Sequence, residues 1–452
     1  MDQGEQLQAR LSAADGAAIV VSNVIGGGIF FTPILIAQLV PNPTAMLAAW
    51  LVGGVLAFLG AMAYAELAAL RPQAGGEYVY LREAFGPLAA FLTGWTSFVA
   101  GFSGAIAAGA LAFGRYLGRF IPAAGNSEPL LTLAFPILPL TISPQSLVAL
   151  TLIFLISLIH YHGLGAGRFV QDGLTVLKVG FLVFLVLLGF AFGHGSAEHF
   201  AAEATISPRN WLLALIPVMF SYSGWNAAAY VAEEIREPTR GVPRALTLGT
   251  TTVIIIYLGL NLLYLFAMPI ADIAQLKGGI LDATGERLFT FALADLFGAF
   301  TLVSIAASLS AMILAGPRVY YAMARDGLFF SIASRVHPRR HVPAAAIWIQ
   351  AGWSALLVLC GSLGELVNYT GFSVMLFAAI AVSAVFVLRF RLPHETRPFR
   401  TFGYPAAPAL FVLGGSLIVL NELWNRPGPA LAGILVIAAG LPLYWLMRRR
   451  SA

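Results

Sequence analysis

Three consecutive glycines, Gly26, Gly27 and Gly28, stand inside an otherwise apolar stretch, SNVIGGGIFFTP, at residues 22–33. Each glycine costs a helix about 1 kcal/mol against alanine and leaves helical geometry readily. A helix interrupted there presents two backbone ends. The half beginning near Gly28 offers unpaired N–H groups and a positive dipole end, which suit a carboxylate. The half ending near Val24 and Ile25 offers free carbonyls, which suit an ammonium. A milder interruption, Ser-Tyr-Ser-Gly, lies in PVMFSYSGWNAAAY at residues 217–230 and adds carbonyls at Phe220, Ser221 and Ser223. Asn226, just past it, is placed to line the same pocket. A ligand with an amine and a carboxylate on one carbon satisfies both sets at once, which describes an α-amino acid. Neither interruption carries a charged side chain. Glycines also let helices pack closely, but a run of three with a second break downstream favours an unwound site.

Lys178 is the lysine inside an apolar run, GLTVLKVGFLVFLV. It sits roughly 15 Å into its span at ~1.5 Å per residue, too deep to snorkel to the interface. An ionisable group at that depth is a functional candidate, either exchanging a proton or standing in for a coupling cation. Ser308 or Ser310 is a candidate partner for it, on the Ala-rich stretch that also holds Ser304. Asn261 and Asn368 read as helix–helix hydrogen-bonding groups. His160 and His162 are two residues apart, do not share a helical face, and read as interfacial rather than metal ligands. Glu66, Glu77, Glu83, Glu233, Glu234 and Glu237 cluster with arginines and read as mostly solvated, with some forming a gate. No nucleophile elbow, phosphate loop or metal-spaced set appears, so neither enzymatic chemistry nor a cofactor is expected.

These groups must be held by elements that live in lipid. Of 452 residues, 59% are hydrophobic and 10% charged, against about 25% charged in soluble domains. A bilayer-crossing helix needs roughly 20 mainly apolar residues. Twelve segments meet that need, some with a break: 16–39, 44–70, 86–117, 145–162, 168–193, 210–233, 243–268, 289–323, 343–361, 365–390, 404–422 and 428–447. With the N-terminus inside, 19 basic residues fall in inner segments and 6 in outer ones, a bias that places both termini in the cytoplasm. The net charge of +5 is thus spread over short loops and does not mark a nucleic-acid binder. The first 15 residues are polar and lack a signal peptide's pattern, so the first span is expected to be retained. Cys360 is the single cysteine, which excludes an internal disulfide. Twenty-four of the 26 basic residues are arginine, which fits a GC-rich bacterium and its inner membrane.

Breaks in the first and sixth spans match if five helices repeat. The expected organisation is a cytoplasmic tail at 1–15, one five-helix unit at 16–193, an inverted second unit at 210–390, two added helices at 404–447 and a tail at 448–452.

Several stretches carry a resemblance. VIGGGIF at 24–30, FSYSGWNAAAYVAEEIREPTR at 220–240, YAELAALRPQAGGEYVYLREAFG at 64–86, RVYYAMARDGL at 318–328 with HPRRHVPAAA at 337–346, and RPFRTFGYPAAPALF at 397–411 resemble motifs of the amino acid–polyamine–organocation superfamily. The second is similar to its L-type amino acid transporter branch. The resemblance spans nearly the whole chain. It implies an all-α, twelve-helix LeuT-type fold with a 5+5 inverted repeat, broken helices 1 and 6, and two extra C-terminal helices. It also implies an amino acid held by Gly26, Gly27 and Gly28 at its carboxylate, by the carbonyls of Val24, Ser221 and Ser223 at its amine, and beneath Phe220 as an aromatic gate. Lys178 matches the lysine that replaces a sodium ion in sodium-independent members. Gly27 stands where Ser or Thr is common, and Ser223 where the L-type branch has Gly. The added hydroxymethyl narrows or polarises the pocket and favours small neutral substrates. Members with a disulfide-linked heavy chain use a cysteine after the third helix. Residues 115–145 hold none, so no such partner is expected.

The expected function is alternating-access transport of small to medium neutral L-amino acids, by proton symport or by exchange. A polyamine or cationic amino acid would call for a carboxylate facing the pocket, and the sequence places none at midplane depth. A non-transporting amino acid sensor would call for a signalling domain or long tail.

Overall fold

The computed structural model describes residues 7–133, 139–201, 204–277, 279–289, 294–360, 363–425 and 427–451. Helices dominate them. In chain order they are α1 (Ala13–Val24), α2 (Gly28–Leu39), α3 (Pro43–Leu70), α4 (Glu77–Phe85), α5 (Pro87–Thr96) and α6 (Phe102–Leu117). Then come α7 (Pro144–Tyr161), α8 (Leu164–Phe192), α9 (Pro208–Tyr222), α10 (Ala227–Tyr230), α11 (Pro238–Ala267) and α12 (Ile270–Gln275). The last are α13 (Ile280–Leu288), α14 (Ala294–Arg325), α15 (Ala344–Cys360), α16 (Leu363–Arg391), α17 (Ala406–Asn425) and α18 (Pro427–Ser451). A π-helical turn, Ser97–Gly101, joins α5 to α6. Between α6 and α7, β1 (Leu131–Leu133) pairs antiparallel with β2 (Leu140–Ile142), Leu131 facing Ile142.

Local chemistry sets many of the starts. Proline opens α3, α5, α7, α9, α11 and α18, where its missing N–H costs nothing. Asn42 caps α3 by accepting the Ala45 N–H at 3.0 Å. Ser12 caps α1 in a reciprocal box with Asp15. Leu11, just before it, pairs with the segment after α10: its N–H meets the Glu234 carbonyl and its carbonyl the Arg236 N–H, each at 2.8 Å. Leu7 and Leu11 are buried, so this stretch of the expected N-terminal tail is packed rather than free.

Among the described residues, nine helices are long and apolar enough to cross a membrane, and ten if α1 and α2 form one bent span. The 15-residue α9 and 17-residue α15 fall short of that length. The expected spans otherwise coincide closely with helices; residues 290–293 and 361–362 lie outside the described set. The sequence reading did not foresee α4, α12, α13 or the strand pair. The outward faces of α8 and α18 carry Val176, Phe184, Leu187, Leu435 and Trp445 exposed, as lipid contact requires. The core lies instead along α3, α11 and α14. Trp50 of α3 meets Tyr222 of α9 and Tyr257 of α11 edge-on, at 5.9 and 5.5 Å between centroids, and the two tyrosines lie tilted against each other at 5.1 Å, behind both interruptions.

The reading of the glutamates as mostly solvated needs correction. Glu66, Glu77 and Glu234 are buried. Glu234 meets Arg318 at 2.7 and 3.0 Å, with both side chains out of solvent. Glu66 meets Arg389 at 2.8 and 2.7 Å and accepts the Thr401 N–H at 2.6 Å. A buried carboxylate requires such partners. Glu83 and Glu395 share Arg71 at 2.5 and 2.6 Å. This pairing raises the guanidinium's affinity for its proton and holds the Glu395 carboxyl below its ordinary value. His160 is likewise buried rather than interfacial, and bonds Ser310 at 2.9 Å.

Candidate functional site

α1 and α2 are bent by 47° across Ile25, Gly26 and Gly27. The Gly26 N–H turns back to the Val24 carbonyl at 2.8 Å, and the Phe30 N–H meets the Gly27 carbonyl at 3.0 Å. Among the described residues the N–H groups of Gly27, Gly28 and Ile29 have no backbone acceptor. They are the open first turn of α2. The second interruption separates α9 from α10 at residues 223–226, where Gly224 holds a φ of +101°. A Cβ on Gly224 would lie 2.9 Å from Asn23 Oδ1, so the two interruptions touch there. They touch again at Gly28, whose added Cβ would meet the Ser221 backbone at 3.3 Å.

Both interruptions open on one cavity of about 910 Å³. Of the sequence-derived candidates, Val24, Gly26, Gly27, Gly28, Phe220, Ser221, Ser223, Asn226 and Ser308 line it. Ile25, Lys178 and Ser310 do not. Phe220 faces Phe31 across it, with centroids 6.2 Å apart. Gly27 has open space, with only Phe31 at 3.9 Å from an added Cβ, so a serine or threonine would fit there. Gly26 has none: its Cβ would lie 2.7 Å from Ser308 Oγ.

Most of the carbonyls expected to be free are taken. The Lys178 ammonium donates to the Ile25 carbonyl, and to that of Ser22 at 3.3 Å. Lys178 is fully buried on α8 and acts on the end of α1 from behind the cavity. Its partners are backbone oxygens, not Ser308 or Ser310. Ser308 donates to the Asn23 carbonyl at 3.4 Å, while Ser310 is turned to His160. The Phe220 carbonyl accepts the Ser223 N–H at 3.1 Å. The Tyr257 hydroxyl lies 2.9 Å from the Val24 carbonyl and 3.0 Å from that of Ser221. Among the described residues the Ser223 carbonyl is left without a donor.

Sequence reasoning missed Tyr257, Thr32 and Glu77. The signal for Tyr257 was a phenol within an aliphatic run, VIIIYLGLNLLY, whose hydroxyl needs a partner at that depth. Thr32 bonds Ser221 at 2.6 Å and ties α2 to α9. Glu77 had been placed among solvated acids, yet it lines the cavity, where no carboxylate had been expected. Its signal was the Gly-Gly pair before it. Gly75 and Gly76 hold φ of +117° and +56°, conformations that suit glycine. They turn the chain so that α4 starts against Tyr230. Glu422 and Asp282 also line the cavity, from the end of α17 and from α13. Asn226 donates to the Tyr230 hydroxyl at 2.9 Å. Asn261 bonds its own helix at the Tyr257 carbonyl, 2.8 Å, rather than a neighbouring one. Asn368 lies outside the described side chains. Among the described residues no group of His, Cys, Asp or Glu is arranged to hold a metal ion.

Comparison with known proteins places the chain in a family. Residues 11–446 match the family described as amino acid permease. The chain is 28% identical over 448 residues to a human cystine/glutamate transporter, covering 98% of this chain and 85% of that one. It is 26% identical over 454 residues to the mouse large neutral amino acids transporter small subunit 2, covering 98% and 82%. It is 28% identical over 437 residues to a serine/threonine exchanger of Bacillus subtilis (strain 168), covering 96% and 95%.

Proposed function

The chain belongs to the amino acid permease family, a family of multi-pass membrane transporters rather than enzymes, and on that premise we propose that it carries small to medium neutral L-amino acids by alternating access. The observation that carries this reading is the meeting of two backbone interruptions in one cavity. The open N–H groups of Gly27, Gly28 and Ile29 receive the carboxylate. The free Ser223 carbonyl receives the amine, with the Val24 and Ser221 carbonyls held in place by Tyr257. Phe220 and Phe31 cover the ligand. The Ser223 hydroxymethyl reduces the space for a side chain, and a serine/threonine exchanger among the relatives supports the same size class. Lys178 is a fixed cation that clamps the end of α1 from α8.

The architecture belongs to the same proposal: twelve spans, with α9–α10 and α15 counted, in two inverted five-helix units at 16–193 and 210–390. The helices at 404–447 stand outside the repeat. The basic-residue bias supports cytoplasmic termini in a bacterial inner membrane. A single cysteine excludes an internal disulfide. The absence of cysteine from 115–145 supports a chain that works without a disulfide-linked partner.

The test is uptake of radiolabelled amino acids into proteoliposomes, with and without an inward proton gradient and with and without unlabelled amino acid inside. Uptake driven by the gradient alone marks a symporter, and uptake only into preloaded vesicles marks an exchanger. Lys178→Met should abolish either. Absence of uptake under every condition would overturn the substrate assignment.

A further inference from the structure

Glu77 enters the cavity wall at the first residue of α4, outside the membrane-crossing helices. The Gly-Gly turn fixes it there. The Gly75 N–H donates to the Tyr230 carbonyl at 3.1 Å, and an added Cβ on Gly76 would lie 2.6 Å from the Tyr230 ring. Glu77 is 7% exposed. It accepts the Tyr230 hydroxyl at 2.8 Å and, at the 3.5 Å limit, an Asn226 N–H. Among the described residues no cationic side chain pairs with it, whereas Glu66, Glu83, Glu233 and Glu234 each pair with an arginine.

The surroundings explain the difference. Tyr64 of α3, Tyr80 of α4, Tyr230 of α10 and Asn226 face the carboxyl. None brings a positive charge. Asp326, just after α14, engages Tyr78 and Arg82 elsewhere on α4. Arg391 of α16 donates to the Ala84 carbonyl at the far end of α4. Arg389 and Arg397 are committed to Glu66. α5, also packed on α4, has no titratable residue.

We propose that Glu77 binds the coupling proton of the transport cycle. A proton from cavity water joins the carboxylate oxygen and gives a neutral acid; its release to water restores the anion. No other group is consumed. This rests on the transporter reading above. A buried carboxylate without a counter-ion is costly in its charged form. That desolvation, only partly offset by the Tyr230 hydroxyl, pushes the carboxyl up to about 7, so its charge changes near neutral pH. The two groups that feel the change are Asn226, the last residue of the second interruption, and Tyr230, the last residue of α10. Ionised Glu77 grips the Tyr230 hydroxyl strongly; neutral Glu77 holds it weakly. Charge at this position is thereby linked to the segment that lines the ligand.

The experiment pairs two readouts on the full chain in proteoliposomes. Infrared difference spectra from pH 5 to pH 9 follow the protonated carboxyl band without any ligand. Uptake of serine, with an inward proton gradient and at symmetric pH 6 and pH 8, follows transport. The expected wild-type result is a carboxyl band that titrates near neutral pH. Uptake is expected to be stimulated by the gradient and, at symmetric pH, to fall about tenfold from pH 6 to pH 8, as one required proton with that midpoint dictates. Glu77→Gln should lack the band, lose the gradient stimulation and show a pH 6 to pH 8 ratio of about one. Tyr230→Phe removes the donor that favours the anion, so it should keep the band and shift its midpoint to higher pH. The proposal is overturned if Glu77→Gln keeps the wild-type band or pH profile, or if wild-type uptake is independent of pH. It is also overturned if lysine or arginine proves to be the substrate and loses uptake in Glu77→Gln, since the carboxylate would then bind the ligand's cation. Uptake only into vesicles preloaded with amino acid, with no response to the proton gradient, also overturns it; if serine and the other amino acids enter neither empty nor preloaded wild-type vesicles, the transport reading fails instead, while the infrared titration still reports on the carboxyl.

Discussion

Tyr257→Phe isolates one hydroxyl that touches both interruptions. Its single proton is shared between the Val24 carbonyl at 2.9 Å and the Ser221 carbonyl at 3.0 Å. Val24 retains the Gly26 N–H at 2.8 Å after the substitution, whereas Ser221 loses the donor it has. A neutral hydrogen bond contributes about 1 kcal/mol net, and a buried acceptor left bare costs about 1–3 kcal/mol. The loss therefore centres on about 2 kcal/mol, and it falls on the geometry that joins α1 to α9. If that joined geometry is what binds the ligand, affinity should drop about thirtyfold, at about 1.4 kcal/mol per tenfold. The assay is equilibrium binding of labelled serine to purified protein, with thermal melting alongside. Tyr264→Phe is the control: it lies seven residues on in the same helix, and its hydroxyl is buried with no partner among the described residues. Its removal should leave affinity near wild type. Equal affinity in Tyr257→Phe and wild type, or equal losses in the two variants, would refute the reasoning.

Gly26→Ala should destabilise by about 1–3 kcal/mol through overpacking, because the new Cβ would lie 2.7 Å from Ser308 Oγ. Adding Ser308→Ala should recover most of that loss, which a double-mutant cycle on melting temperature measures. Glu234→Ala strands Arg318 in a site where both side chains are buried, and should cost about 3–5 kcal/mol in denaturant unfolding. Replacing the pair together, as Glu234→Leu with Arg318→Met, should restore much of it. Glu77 has a folded-state value of about 7 against an ordinary 4.5. The folded state therefore holds the proton more tightly, and the associated stability is complete below pH 4.5 and lost as pH rises through 7. The change is about 3 kcal/mol, visible as a fall in melting temperature from pH 4.5 to pH 8 that Glu77→Gln should flatten.

The sequence made the spans legible because lipid leaves little choice of backbone: apolar runs of about 20 residues must be helical there. The interruption at Gly26–Gly28 was legible for a local reason, the cost of three glycines, and it appears as a 47° bend. What the sequence left hidden is pairing across distance. Depth singles out Lys178 in the sequence, and the structure buries it, but the hydroxyls of Ser308 and Ser310 are not its partners. The structure directs it to the Ser22 and Ile25 carbonyls, because a helix end supplies unpaired acceptors that no side-chain pattern advertises. Glu66, Glu77 and Glu234 look alike in a list of acids near arginines. Only packing separates the two that keep a guanidinium from the one that does not.

That separation bears on how the site divides its labour. The backbone ends that face the cavity are electrically balanced without side-chain charge, so a zwitterion adds no net charge to them. Near the two breaks, one charge stands behind the cavity, Lys178, and one stands in its wall, Glu77. Lys178 acts on the end of α1 from α8, and Glu77 acts on the ends of α10 from α4. Each touches one interruption through backbone or a neutral side chain rather than the ligand directly. A positive group fixed behind one break and a carboxyl without a cationic partner in the cavity wall beside the other can bias the two breaks independently. Tyr257 couples them by bonding carbonyls of both. Loosening that hydroxyl should therefore weaken ligand binding at every pH, while changing Glu77 should alter only how binding depends on pH. The two substitutions act on different links of one chain of contacts.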